Sequence, residues 1–146
     1  MQKVRLISKT IQGLTTRTSN ALERDSRTAQ IGGLWGDFFQ SELAKSSPLY
    51  GVYYHYESDY RGFFSVMAGI EINEANHNPQ MQAVSINAGN YLVFKGVGEM
   101  PQAVIEAWKN IWDYFSSSDY VHSRAYQTDF ELYVSATEVE IYIGVV

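Results

Sequence analysis

Residues 31–43, IGGLWGDFFQSEL, carry Ile31, Leu34, Trp35, Phe38, Phe39 and Leu43 at the spacing of one helical face. Residues 101–115, PQAVIEAWKNIWDYF, carry Val104, Ala107, Trp108, Ile111, Trp112 and Phe115 in the same way. Trp35 and Trp108 fall at matching points of the two stripes, and the surrounding segments repeat as well. Residues 4–14 read as a strand interrupted at Gln12-Gly13, and residues 82–95 as one interrupted at Ala88-Gly89. After the first helix, residues 51–56 and 63–72 are rich in Tyr, Phe and Val, with a turn of Glu57, Ser58, Asp59 and Gly62 between them. After the second helix, residues 130–134 and 138–145 supply the corresponding pair.

The order strand, helix, strand, strand therefore occurs twice, over about residues 1–72 and 81–146, and duplication is the simplest explanation. Thr28 is a candidate N-cap for the first helix, which Ser46, Ser47 and Pro48 end, while Pro101 suits the first position of the second. Residues 15–27 are polar and turn-rich, a long loop or a short helix placed where it could cover a groove. Residues 73–79 form a polar linker between the halves. The expected fold is α+β in a single domain: duplicated β-α-β-β halves, an antiparallel sheet with both helices on one side, and a central groove.

Composition narrows the function. The chain has 146 residues, 45% hydrophobic and 18% charged, which suits one globular core. The formal net charge is −5 and no run of Lys or Arg occurs, so direct nucleic-acid binding is disfavoured. There is no cysteine, hence no disulfide framework, thiolate nucleophile or Cys-based metal site. Residues 1–10 lack a signal-peptide core, and no apolar run approaches the roughly 20 residues needed to cross a bilayer, so a cytoplasmic location is expected. His55, His77 and His122 are too scattered for a ligand motif, and no metal or cofactor is expected. Gly96-Val97-Gly98 is not followed by the Lys and Ser or Thr of a phosphate loop and reads as a turn. No serine sits in a Gly-x-Ser-x-Gly elbow, and Ser116 to Ser118 read as a helix exit.

Five segments in order carry a resemblance: Leu34-Trp35 with Phe38-Phe39, Gly51-Val52-Tyr53-Tyr54, residues 88–94 (AGNYLVF), Phe130-Glu131-Leu132-Tyr133, and Glu140-Ile141-Tyr142-Ile143. Together they resemble the GyrI-like family, the effector-binding domain of AraC-type and MerR-type multidrug regulators, and within it the stand-alone effector-binding proteins of integron cassettes. The resemblance spans nearly the whole chain. It implies a groove for small lipophilic cations, with the glutamate of the Phe-Glu-x-Tyr strand at its base, which is Glu131 here. Gly144 departs from the pattern, because a proline commonly follows Tyr-Ile.

A carboxylate in an aromatic groove suits a cation receptor: its desolvation is costly until a positive charge joins it, and aromatic faces attract the same charge. Strand alternation puts Glu131 and Tyr133 on one face and Phe130, Leu132 and Val134 on the other. Tyr54, taken as the first-half counterpart of Tyr133, and Tyr142 on the last strand are expected to join the wall with Trp35, Phe38 and Trp108. The plain alternative for any one tryptophan is a core position on its helix. Asp37, Asp59, Glu138 and Glu140 read as solvated acids, and Glu42 as an acid near the groove mouth. The leading expectation is a non-enzymatic effector module with small cationic partners, acting on transcription only through a separate DNA-binding regulator. A hydrolase using Glu131 as general base is the second expectation, and an inhibitor of a nucleic-acid enzyme the third.

Overall fold

Eight strands make one antiparallel sheet in the computed structural model, which describes residues 1–46, 48–73, 78–117 and 121–146. In chain order the elements are β1 (Gln2–Leu6), β2 (Lys9–Ser19), α1 (Asn20–Glu23), α2 (Ile31–Phe39), a 3-10 turn at Glu42–Lys45, β3 (Leu49–Tyr54) and β4 (Phe63–Glu71). Then follow β5 (Gln82–Ile86), β6 (Gly89–Val97), α3 (Gln102–Ser116), β7 (Arg124–Ser135) and β8 (Glu138–Val145). His77, Ser47, Ser118 and most of the expected linker fall outside the described residues.

The sheet order is β1-β6-β8-β7-β3-β4-β2-β5, and it corrects the expected first strand of each half. Residues 4–14 belong to two strands, separated at Ile7-Ser8: β1 pairs with β6, whereas β2 pairs with β4 and β5. Residues 82–95 divide in the same way at Asn87-Ala88, and β6 opens on Gly89 at a φ of +148°, which favours glycine. Each half thus lends its first strand to the other half's edge, and β3 and β7 meet at the centre. Gln12-Gly13 is no interruption: a Cβ on Gly13 would stand 1.9 Å from the Ala68 carbonyl oxygen, so glycine permits close pairing there.

Two further boundaries moved. The threonines of residues 15–18 continue β2, paired against Met67 to Phe64 of β4, because β-branched residues suit a paired strand better than a loop. Helix α2 starts at Ile31 rather than near Thr28, since the Glu23 carboxylate caps it from outside by accepting the backbone N–H of Gln30 (2.8 Å) and Ile31 (3.1 Å). The Thr28 hydroxyl instead donates to the Leu22 carbonyl at 2.7 Å.

Both long helices cover one face. Leu34 and Phe38 of α2 pack with Phe64, Val66, Ala68 and Ile70. Ala107 and Ile111 of α3 pack with Leu92, Phe94, Ile141 and Ile143. Small residues let α3 approach closely, for a Cβ on Gly96 would lie 2.7 Å from the Ala103 carbonyl oxygen. On the other face Tyr50, Val52, Tyr54, Met67, Tyr91 and Phe130 form a separate core joined by Val4, Leu6 and Ile86 of the edge strands, so the sheet curls around them. No described helix is long and apolar enough to cross a membrane.

Candidate ligand-binding site

Helix α2 sits on β2 and β4, and α3 on β6 and β8, which leaves the central strands β3 and β7 open between them. The opening is a cavity of about 940 Å³. Trp35 follows Leu34 and Trp108 follows Ala107, so each indole stands about 100° around its helix from the buried stripe and faces the gap. Phe39, Val104, Ile105 and Met100 extend the apolar wall, and Leu49, Tyr53, Glu131 and Tyr133 contribute from the strands.

Glu131 is 3% exposed at the centre of this arrangement. Its Oε2 accepts hydrogen bonds from Trp108 Nε1 (2.7 Å) and the Tyr53 hydroxyl (2.9 Å), and its Oε1 accepts from the Tyr133 hydroxyl (2.9 Å). No Lys, Arg or His among the described residues forms an ion pair with it. Burial raises its pKa above the usual carboxylate value, and the hydrogen bonds from Trp108, Tyr133 and Tyr53 offset part of the rise. Burial and then the neighbouring carboxylate push the Tyr53 and Tyr133 phenols well above their ordinary value, so both remain donors. Gly51, the register partner of Glu131, makes the space: a Cβ there would lie 2.6 Å from Glu131 Oε1 and 3.2 Å from Trp35 Cζ2.

Of the residues expected at the wall, Glu131, Tyr133, Trp35 and Trp108 line the cavity, and Phe38, Tyr54 and Tyr142 do not. Phe38 is fully buried beneath Trp35, its ring edge-on at 6.0 Å, because it continues the Leu34 stripe. Tyr54 belongs to the core on the opposite face. Tyr142 stacks on Phe130 there, with centroids 4.5 Å apart and planes 5° from parallel. The counterpart that Tyr133 needed is Tyr53. Its signal lay in the phase of β3: Gly51 pairs with Glu131, so alternation brings Tyr53 to the cavity and turns Tyr54 away. Glu42 is exposed and paired with Lys45 at 3.1 Å, away from the cavity. Among the described residues no three His, Asp or Glu side chains cluster as a metal site.

The chain and its fold match known proteins. The chain is similar to an integron cassette protein of the mobile metagenome of Vibrio cholerae, with 37% identity, 99% of this chain and 95% of that one covered, and a TM-score of 0.89. It also shares its fold with SAV2435, solved bound to tetraphenylphosphonium, at 22% identity, a TM-score of 0.78, and 99% and 93% coverage. Among curated protein sequences none matches. The profile of the integron-associated effector binding proteins matches residues 4–145, and with the cassette protein's identity over nearly the full length it shows that the chain belongs to that family.

Proposed function

We propose that this chain is a receptor for lipophilic cations, which it holds in the aromatic cavity with the positive charge against Glu131. The observation that carries the reading is a buried carboxylate with three neutral hydrogen-bond donors and no cationic partner among the described residues. Neutral donors stabilise an ionised carboxylate only in part, as its raised pKa indicates, and a ligand's positive charge supplies the rest. The faces of Trp35, Trp108, Tyr53 and Tyr133 add about 0.5–2 kcal/mol per well-placed cation contact while asking little of ligand shape. The cavity volume suits a drug-sized molecule.

Both oxygens of Glu131 are already engaged by donors, which favours a receptor over a general base. An effect on transcription, in this proposal, passes through a separate DNA-binding protein that responds to the loaded receptor.

SAV2435 was solved with tetraphenylphosphonium, so that ion is the first probe. Titration followed by tryptophan fluorescence should give saturable quenching, weakened about tenfold or more in Glu131→Gln, or at least 1.4 kcal/mol. Neutral triphenylphosphine oxide should bind poorly to both proteins. Equal affinity of wild type and variant for the cation would overturn the proposal.

A further inference from the structure

The two helices that flank the cavity are built to different strengths. Helix α3 runs for 15 residues without a glycine and buries Ala103, Ala107 and Ile111. The Trp108 N–H ties it to the cavity floor through Glu131 at 2.7 Å. Helix α2 has nine residues, includes Gly32, Gly33 and Gly36, and buries only Leu34 and Phe38. Each glycine in a helix interior lowers the helical population about two- to fivefold against alanine. A helix this short is also marginal without support from outside it.

Nothing in the packing or the backbone requires these glycines. A Cβ at any of the three would meet no atom within 4 Å, and the positive glycine φ values belong to Gly89 and Gly98. The ends of α2 add little: Gln30 gives no side-chain cap, the last turn has no basic residue, and Asp37 places a negative charge there. Its N-terminal support is borrowed, from the Glu23 carboxylate on Gln30 and Ile31 N–H. Yet this weak helix carries Ile31, Gly32, Trp35 and Phe39 of the cavity wall. Trp35 meets Phe38, Phe39 and Tyr133 through ring contacts, which tolerate a shift better than the Trp108 hydrogen bond does.

We propose that Gly33 and Gly36 are specificity-determining positions: they keep α2 weak enough to yield, so that its wall moves to admit bulkier cations while α3 and Glu131 stay in place. The inference rests on the receptor reading above and deepens it, because the wall that adjusts is the receptor's own. A ligand that needs α2 displaced loses affinity by the cost of displacing it, so its binding depends on helix stability. A ligand that fits the helix where it stands does not feel that stability.

The test uses titration calorimetry with methyltriphenylphosphonium and (4-phenylbenzyl)triphenylphosphonium, which share a cationic centre and differ in bulk. Wild type is compared with the double variant Gly33→Ala, Gly36→Ala. Neither position lines the cavity, so the variant strengthens α2 and leaves the wall surface as it is. The smaller cation should bind the two proteins within about twofold, and the larger should bind the variant about tenfold more weakly. In hydrogen exchange, α2 amides of the free wild type should exchange at least about tenfold faster than those of α3, and the variant should slow α2 alone. A loss for the larger cation no greater than for the smaller overturns the adjustable wall, as does wild-type exchange in α2 as slow as in α3. In either case, cation binding that still weakens in Glu131→Gln leaves the receptor standing. If neither phosphonium binds the wild type, the receptor reading fails and the adjustable wall with it.

Discussion

Asp129 and Glu131 stand two residues apart on one face of β7, both out of solvent, and their partners differ in charge. Asp129 accepts from Arg124 (2.7 Å), the Tyr56 hydroxyl (2.5 Å) and the Gly144 backbone N–H (2.8 Å), so its charge is balanced within the protein. Glu131 has as many donors, all of them neutral. One carboxylate completes the fold, and the other leaves a charge for something else to complete. The unusual Gly144 belongs to the first arrangement: a proline there would have no N–H to offer Asp129.

The largest effect should come from separating the Asp129 pair. Arg124→Ala leaves a buried carboxylate without its cation and should cost about 3–5 kcal/mol of stability, measured by urea unfolding. Glu131→Gln, by contrast, keeps a side chain of the same size, removes an unbalanced charge and turns one acceptor into an amide donor that the Tyr133 hydroxyl can accept, so it should be milder. Comparable losses in the two variants would erase the distinction drawn between the carboxylates.

The pH dependence sharpens the same contrast. The folded-state pKa of Glu131 is raised above its ordinary value of 4.5, so between those two values the folded protein holds a proton that the unfolded chain has released. Stability contributed by this group is therefore present below about 4.5 and is lost as the pH rises through the folded pKa. Cation binding needs the ionised form and should run the other way, tightening by up to about tenfold per pH unit until the carboxyl has titrated. In Glu131→Gln the affinity should be flat across that range. A wild-type affinity that is also flat would show that the cation does not meet Glu131.

Much of this arrangement was legible in the sequence because it repeats there. The helical stripes fixed α2 and α3, the paired tryptophans pointed to the space between them, and Phe-Glu-x-Tyr marked the carboxylate. Two things were not legible. The exchange of β1 and β5 between the halves depends on long-range pairing, and no residue near Ile7-Ser8 announces that the chain crosses to the other side of the sheet. The second was strand phase: Tyr53 and Tyr54 are adjacent and chemically identical, and only the register of Gly51 on Glu131 decides which one enters the cavity. Arg124 and Asp129 were missed for a related reason. They are five residues apart in a strand whose register shifts between them, so no simple alternation brings them together.

The smallest expected effect comes from comparing two phenols on opposite faces of the sheet. The Tyr142 hydroxyl donates to Glu140 at 2.9 Å on the side away from the cavity, while its ring keeps its stacking on Phe130 if the hydroxyl is removed. Tyr142→Phe should therefore cost less than about 1 kcal/mol in stability and leave tetraphenylphosphonium affinity and its pH profile unchanged. Tyr133→Phe removes a hydrogen bond that favours the ionised form of Glu131, so the midpoint of its binding profile should move to higher pH. If the Tyr142 substitution moved that midpoint and the Tyr133 substitution did not, the cavity face of β7 would have been assigned to the wrong side of the sheet.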